Sequence, residues 1–380
     1  MHRAAAQDHQ QVAAFRKACW DFASSSGSRE LHPFPARFIP EIPRQALDLL
    51  GVDGPVIDPF CGSGTTLAEA QRRGLPATGI DLNPIACLIS RVRTQPWRRG
   101  DGERGLHHAR MVRAHALAGA DVRDLAHEIP RIDHWFSLAA QEALAGAVAY
   151  LSTVEPEWHD RVAVAISASI VRVSRQESDT RYAAIAKPIT RDQAATELSQ
   201  AVVRTCDWLS QRPAPPAGGV VDVLCKDARD LSDLPREHFA AAVFSPPYPN
   251  AYEYWLYHKY RMYWLGFDPV LVRGSELGAR PHYCKPNGLD EYDFAGQMAD
   301  VFDGLARCLT PLAPVVVVIG DSVIGGRSIN NGQLLVDVAT TKGYTLDAWA
   351  TRAIRQGRSS FNRAHSRGRR TEHVLLLRRD

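Results

Sequence analysis

The stretch "VIDPFCGSGTT", residues 56–66, decides the fold prediction. Its apolar run has the composition of a buried strand, Gly62 and Gly64 follow directly, and a helix-forming segment comes next. Glycines at such a turn let the backbone approach a ligand closely, and the helix N-terminus offers unpaired N–H groups. The next β-rich run, residues 76–82, ends at Asp81, whose carboxylate could accept hydrogen bonds from both hydroxyls of a ribose. This order of strand, glycine turn, helix, strand and acid predicts a nucleoside-binding half-sheet.

Two other interpretations of the glycine turn stay open on spacing alone. One is a tight turn with a purely structural role. The other is a nicotinamide dehydrogenase. Its motif requires a third small residue three positions after Gly64, but Leu67 stands there.

Short β-rich runs alternate with helical stretches along the chain, which is typical of a parallel sheet with crossover helices. Strands are predicted at residues 55–60, 76–82, 220–228, 240–246, 314–321, 344–354 and 372–379. Only an arginine-rich loop separates the last two runs, which leaves no room for a crossover helix, so these two strands should pair antiparallel. The sequence therefore predicts an α/β protein with a seven-stranded, mostly parallel sheet.

The chain divides into an arm, a catalytic domain and an insertion. Residues 98–217 show helical periodicity, for example in "HWFSLAAQEALAGAVAYLSTV", and end in the linker "QRPAPPAGG", which predicts a separate helical subdomain. Residues 1–30 end in the flexible "SSSGS" and are predicted to be a helical arm and linker. The catalytic domain should then comprise residues 31–97 and 218–380.

Composition excludes several classes of protein. With 45% hydrophobic and 23% charged residues, the 380-residue chain is neither largely disordered nor fibrous. It contains no apolar run long enough to span a membrane and no signal-peptide pattern at its N-terminus, so we expect a cytoplasmic protein without membrane contact. The seven cysteines are scattered without a C-x-x-C pair, which suggests neither a disulfide framework nor a metal site.

Arginine clusters suggest a nucleic-acid partner, although the net charge is only +3. Of 45 basic residues only six are lysine, and arginines concentrate in residues 97–105, 172–191 and 351–370. The planar guanidinium suits phosphate. Solvated surface faces in an arginine-rich chain are the alternative, which is weakest for the last cluster because it contains no acid.

Four motifs resemble those of DNA amino-methyltransferases, which modify cytosine N4 or adenine N6. "VIDPFCGSGTT" resembles motif I of that family, the S-adenosylmethionine loop, and "HPFPARFIPEIPR" (32–44) resembles motif X, which wraps the methionine end of the cofactor. "CKDARDL" (225–231) is similar to motif III, near the adenine, and "FSPPYPN" (244–250) to motif IV, the catalytic loop. In this family the S-P-P-Y wording is more often associated with cytosine N4, and D-P-P-Y with adenine N6.

The resemblance implies a Rossmann-like class I methyltransferase fold and S-adenosylmethionine as the cofactor. The implied cofactor-binding residues are Phe34, Pro35, Ala36, Arg37, Phe38, Asp58, Phe60, Gly62, Gly64, Thr65, Thr66, Asp81, Leu82 and Asp227. The implied catalytic residues are Ser245, Pro246, Pro247 and Tyr248.

The catalytic loop suits an exocyclic amine, which is a poor nucleophile because its lone pair is delocalised into the ring. The Ser245 hydroxyl and the Pro246 carbonyl would each accept one amine proton, and the prolines hold that carbonyl rigidly. The base must be flipped out of the duplex, and stacking on Tyr248 would recover roughly 1–3 kcal/mol. Transfer would be a direct in-line displacement without metal or covalent intermediate. Cytosine C5 chemistry is disfavoured because no Pro-Cys dipeptide occurs.

Several residues are candidates for contact with DNA. Of the aromatic residues after the catalytic loop, most should belong to a helix core, with Tyr252 and Tyr254 nearest the base pocket. The insertion is interpreted as the target-recognition segment, although dimerisation or partner docking is an alternative. Asp321 is interpreted as a turn-stabilising residue rather than a pocket residue. The basic candidates, which could instead belong to solvated loops, are Arg175, Arg181, Arg358, Asn362, His365 and Arg367.

The sequence thus predicts a DNA methyltransferase acting on cytosine N4 in double-stranded DNA. Adenine N6 is the nearest alternative, followed by an RNA base or a protein glutamine, against which Ser245 in place of asparagine argues. An inactive relative would have a damaged cofactor loop, but Asp58 and both glycines are present. The resemblance leaves open a cognate restriction nuclease, subunits of a phage-defence system, and whether the protein is a monomer or a homodimer.

Overall fold

The computed structural model describes residues 2–22, 30–125, 127–179, 181–250, 252–283, 288–354 and 370–380. Over these ranges the strands are β1 (Val56–Asp58), β2 (Ala77–Asp81), β3 (Gln176–Ser178), β4 (Arg181–Ala184), β5 (Val221–Cys225), β6 (Ala241–Phe244), β7 (Pro314–Gly320), β8 (Ser322–Ile324), β9 (Arg327–Ile329), β10 (Tyr344–Ile354) and β11 (Arg370–Arg379). The helices are α1 (His2–Lys17), α2 (Glu41–Leu50), α3 (Thr65–Arg72), α4 (Pro84–Thr94), α5 (Asp101–Ala118), α6 (Ile132–Trp135), α7 (Leu138–Tyr150), α8 (Pro156–Val173), α9 (Arg191–Ser210), α10 (Tyr254–Trp264), α11 (Pro269–Ser275), α12 (Arg280–Tyr283), α13 (Glu291–Cys308) and α14 (Asn331–Thr341).

A central seven-stranded sheet within the described residues has the order β10-β11-β7-β6-β1-β2-β5. Strands β5, β2, β1, β6 and β7 run parallel, whereas β11 pairs antiparallel with both β7 and β10. All seven sheet strands were expected from the sequence, including the antiparallel final pair, and the predicted fold class is confirmed. The sequence analysis missed two small hairpins, β3–β4 and β8–β9.

Helices cover both faces of the sheet, which explains its nearly continuous apolar strands. Along β7, Val315 and Val317 face a core built with α13 and α14. Val316 and Val318 face the opposite core, built with α2 and α3. The loops at the carboxyl ends of the parallel strands therefore stand on a rigid, double-sided support.

The insertion is mainly helical, and the β3–β4 hairpin lies between α8 and α9. Its core is continuous with the sheet-covering helices, because Ile89 of α4 and Trp264 of α10 belong to the same buried cluster as Leu144 and Trp158 of the insertion. The buried Arg161 ties the insertion together by donating to Asp101 over 2.8 Å. Residues 98–217 therefore share one core with the helices that cover the sheet.

The N-terminal arm begins with α1, as expected, and continues along the edge strand β10. Trp20 is buried there and donates its ring N–H to the carbonyl of Phe15. The Asp21 carboxylate accepts the backbone N–H of Ala353 over 2.9 Å. The predicted linker lies mostly outside the described residues. Among the helices described, none is both long and apolar enough to cross a membrane.

Candidate active site

A cavity of about 640 Å³ opens at the carboxyl ends of β1, β2, β6 and β7. Strand order reverses between β1 and β6, and open α/β sheets bind ligands at such a switch point. The walls come from the glycine turn, residues 34–39, the loop after β6, and the ends of β10 and β11. The structure thus brings together segments that are far apart in the sequence.

The glycine turn has a backbone conformation that other residues tolerate poorly. Gly62 and Gly64 have φ angles of 51° and 79°. A Cβ atom on Gly64 would lie 2.8 Å from the Ser90 hydroxyl, and that hydroxyl donates to the Gly62 carbonyl over 2.8 Å. Helix α4 therefore holds the turn from behind, and only glycine fits between them.

Two carboxylates, Asp58 and Asp81, fix the turn from the cavity side. Asp81 accepts the backbone N–H of Gly62 over 2.9 Å and that of Asn83 over 2.8 Å. Asp58 accepts the backbone N–H of Phe60 over 3.0 Å. Burial raises the pKa of Asp58 to about 7 and that of Asp81 to about 6. A cationic ligand would offset the cost of keeping these groups ionised.

The segment at residues 34–39 closes the cavity across the glycine turn. A Cβ atom on Gly62 would lie 3.4 Å from the Phe34 ring, which also packs against the rings of Tyr254 and His258, with centroids 5.8 and 5.2 Å away. His32, just before the segment, contacts the Ser167 hydroxyl of α8 at 3.0 Å. The insertion therefore supports this wall of the cavity.

The Ser-Pro-Pro-Tyr loop follows β6 and lines the cavity with Ser245, Pro246, Pro247 and Tyr248. The Ser245 hydroxyl donates to the Tyr248 hydroxyl over 3.5 Å, and the Tyr248 hydroxyl donates to a Glu372 oxygen over 2.9 Å. Burial and the neighbouring Glu372 charge raise the pKa of Tyr248 well above its ordinary value. The tyrosine is thus a neutral hydrogen-bond donor, fixed at both its ring and its hydroxyl.

The aromatic residues after the loop fall into two groups, one at the cavity and one in the core. Tyr252 and Tyr254 line the cavity, whereas Tyr260, Tyr263 and Trp264 are buried in the core of α10 and the insertion. The start of α10 is held by a buried carboxylate, since Glu276 accepts the backbone N–H groups of Tyr254 and Trp255, each over 2.8 Å. Burial raises the pKa of Glu276 to about 8.

Most predicted site residues line the cavity, with three exceptions in the cofactor set: Pro35, Gly64 and Thr66. Gly64 and Thr66 lie behind the wall, where they cap and begin α3. Asp227 does line the cavity, and both of its oxygens accept hydrogen bonds from the Arg229 guanidinium. The wall thus combines side chains that face the cavity with residues that shape the turn behind it.

Two of the residues proposed for DNA contact, Arg175 and Arg181, lie away from the cavity. Arg175 donates to the Asp133 carbonyl, and Arg181 is an exposed residue of β4 paired with Glu177 over 2.8 Å. Neither residue lines the cavity. The other four, Arg358, Asn362, His365 and Arg367, lie outside the described residues.

Four charged residues of the cavity wall were absent from the predicted site. Three of them are Glu276, Arg352 and Glu372. The fourth, Asp321, was interpreted as a turn residue, but it lines the cavity and accepts a hydrogen bond from His373 Nε2 over 2.9 Å. Arg352 and Glu372 gave no local signal, because their strands contain other charged residues, among them Asp347 and Arg378. No group of three His, Cys, Asp or Glu side chains in the described part of the chain could hold a metal.

The sheet order, the antiparallel β11 and the glycine turn at the switch point together define the Rossmann-like class I methyltransferase fold. No family model matches the chain. A stretch of 68 residues, 18% of the chain, is 40% identical to the type II methyltransferase M.MjaII of Methanocaldococcus jannaschii. A stretch of 69 residues, 17% of the chain, is 38% identical to the type II methyltransferase M.MvaI of Kocuria varians.

These matches are local, because they span only 13% and 15% of the two curated relatives. Over that stretch, the predicted resemblance to methyltransferases is confirmed. Among solved structures, a SAM-dependent methyltransferase from Methanosarcina mazei is similar over 86% of this chain and 91% of its own, at 10% identity and a TM-score of 0.32. A TM-score this low identifies neither substrate nor reaction.

Proposed function

We propose that this protein is an S-adenosylmethionine-dependent DNA methyltransferase that modifies the N4 amine of a flipped cytosine in a specific double-stranded site. One observation carries the proposal: a single cavity contains both the glycine turn with its acidic residues and the Ser-Pro-Pro-Tyr loop. The local identity to two type II methyltransferases supports the same conclusion.

The cavity suits the proposed cofactor. Bound S-adenosylmethionine would supply an electrophilic methyl group on a cationic sulfonium. Asp81 would accept hydrogen bonds from the ribose hydroxyls, Asp227 would lie near the adenine, and residues 34–38 would enclose the methionine end. When ionised, Asp58 and Asp81 add negative charge to the wall, which favours a positively charged ligand.

Cofactor affinity should depend on pH because of these carboxylates. The raised pKa values of Asp58 and Asp81, about 7 and about 6, mean that both groups become neutral as pH falls through that range. Since a cation binds the ionised form, we expect the dissociation constant to be about fivefold or more higher at pH 5.5 than at pH 8. Calorimetry at the two pH values measures this difference, and equal affinity would contradict the role given to the carboxylates.

The catalytic loop would position the amine. The Ser245 hydroxyl directs its proton to Tyr248, which leaves its lone pairs available to accept a proton of the amine. The Pro246 carbonyl would accept the second amine proton. The Tyr248 ring would stack on the base. The ring lies directly against Gly320, where a Cβ atom would come within 2.9 Å of it.

Nucleoside mass spectrometry tests the proposal directly. DNA incubated with the protein and isotopically labelled S-adenosylmethionine should yield labelled 4-methylcytosine. Labelled 6-methyladenine would preserve the mechanism but replace the base, since the same loop can hold either amine. Label in RNA or in a protein glutamine, with none in DNA, would reject the DNA methyltransferase proposal.

The insertion at residues 98–217 is the proposed target-recognition segment. Its β3–β4 hairpin contacts α10, the helix that follows the catalytic loop, because the Tyr182 hydroxyl donates to that of Tyr260 over 3.0 Å. Asp179, beside the hairpin turn, pairs with the buried Arg261 of the same helix. DNA bound by the hairpin would therefore be connected to the loop through one rigid helix.

Replacing Arg181 by alanine should weaken DNA binding several-fold, because an exposed guanidinium on the hairpin would be lost. The slope of log affinity against log salt concentration should decrease by about 1. Fluorescence anisotropy at several salt concentrations measures both quantities. Arg110→Ala, on the exposed face of α5, is the matched control. If Arg181→Ala matches the wild type in affinity and slope, the hairpin does not contact DNA phosphates, and dimerisation or partner docking becomes the better interpretation.

A further inference from the structure

A line of hydrogen-bonded side chains leads from the catalytic loop into the antiparallel edge of the sheet. It begins at Ser245, whose hydroxyl donates to Tyr248, and continues from the Tyr248 hydroxyl to Glu372 Oε1 over 2.9 Å. The other oxygen of Glu372 lies 3.3 Å from a guanidinium nitrogen of Arg352. The line therefore connects the expected position of the reacting amine to a carboxylate that is paired with Arg352.

The two charged residues of this line, Arg352 and Glu372, form an ion pair that is largely buried in the sheet. Arg352 and Glu372 lie directly opposite each other on β10 and β11, and their side chains are only 4% and 17% exposed. Burying an ion pair is costly, and apolar residues often serve equally well at such positions. Both strands already have long ladders of backbone pairing, with β11 bonded on both sides, so the sheet does not depend on this pair. The pair does provide a carboxylate beside the Tyr248 hydroxyl.

We propose that Glu372 is a positioning residue that takes up, through Tyr248 and Ser245, the proton that the target amine must lose. This inference rests on the proposed function. The Arg352 guanidinium pairs with the same carboxylate and holds it beside the Tyr248 hydroxyl. Because the pKa of Tyr248 is raised, a tyrosinate would not accumulate, so Tyr248 would lose its own proton only as it gains the one from Ser245.

In the methyl transfer, the amine nitrogen forms a bond to the methyl carbon while the carbon–sulfur bond breaks. The electron pair of the broken bond stays on sulfur. The nitrogen, now positively charged, gives one proton to the Ser245 oxygen as the original Ser245 proton moves to Tyr248. The original Tyr248 proton moves to Glu372. Both hydroxyls end neutral, and the protonated Glu372 later releases its proton to water.

Single-turnover methyl transfer to DNA tests this relay with two conservative variants. Glu372→Gln keeps the shape and can still accept from Tyr248 but cannot take up a proton. Tyr248→Phe keeps the stacking ring and removes only the hydroxyl. Each should slow transfer about 10- to 100-fold, with dissociation constants for cofactor and DNA within about twofold of the wild type. The double variant should be no slower than the slower single variant, because both interrupt one relay.

A matched control comes from a second partly buried carboxylate–arginine pair. Glu291 accepts hydrogen bonds from Arg327 through both oxygens, over 2.8 and 3.0 Å, and it does not line the cavity. Glu291→Gln should therefore transfer methyl groups at the wild-type rate. Glu372→Asp, which retains a titratable carboxylate, should recover part of the rate lost in Glu372→Gln.

Three outcomes would overturn the inference. The first is Glu372→Gln at the wild-type rate. The second is a double variant whose loss equals the product of the single losses. The third is slowing that follows an equal loss of cofactor or DNA affinity, which would indicate a structural role only. A wild-type protein that binds the cofactor but methylates no DNA would instead overturn the proposed function, and the inference with it.

Discussion

Replacing Ser245 by alanine is expected to slow methyl transfer by about 100-fold or more, with the dissociation constant of S-adenosylmethionine changed by less than about twofold. Ser245 directly follows β6 and lines the cavity. Its hydroxyl donates to Tyr248 and not to the glycine turn. Alanine would remove both the acceptor for the amine and the first step of the relay. Single-turnover kinetics and calorimetry separate the two effects.

The matched control for this variant is Ser328→Ala, because Ser328 is an exposed hydroxyl residue of β9 that lines the same cavity. We expect it to retain a rate within a few-fold of the wild type. Ser245→Ala should also be at least as slow as Glu372→Gln, since it interrupts the same line of residues nearer the amine. A Ser245→Ala protein with normal turnover would reject both the acceptor role and the relay, whatever base is methylated.

The strands could be predicted because their signals are local. Runs such as residues 314–321 are apolar on both faces, and each predicted run of the sheet became a strand. The β3–β4 and β8–β9 hairpins were missed because their strands are only three or four residues long, too short for an alternating pattern to be detected. The shared core of the insertion was missed because the apolar faces of α4 and α10 give no indication of what covers them.

The site was predictable where residues belong to one contiguous motif. Asp58, Gly62 and Ser245 were identified from motif wording, and they line one cavity. Glu372 and Arg352 were not identified, because their significance depends on the register of β10 against β11 and on the contact of β11 with Tyr248. Strand register follows from packing across the whole sheet, which a single sequence does not specify.

Replacing Asp81 should weaken cofactor binding much more than it slows methyl transfer, the reverse of the effect expected for Ser245. We expect Asp81→Asn to weaken S-adenosylmethionine binding by about 100-fold, because hydrogen bonds to a charged group contribute about 1.5–3 kcal/mol each and the ribose would lose a charged acceptor. The backbone N–H of Gly62 would lose its carboxylate partner as well, so the turn would be held less firmly. Calorimetry measures the affinity, and single-turnover kinetics at saturating cofactor should show a much smaller loss of rate.

Folding stability should change little in this variant because two effects oppose each other. Asparagine can accept only one of the two backbone hydrogen bonds that Asp81 now accepts, which destabilises the turn. Burial raises the pKa of Asp81 to about 6, so near pH 7.5 the buried charge lowers the folding stability of the wild type. Asparagine removes this charge. Asp222→Asn, on the exposed face of the neighbouring strand β5, is the matched control and should bind the cofactor normally. If Asp81→Asn binds the cofactor as tightly as this control does, the glycine turn and its acid do not form the cofactor site, and the cavity must hold its ligand in a different orientation.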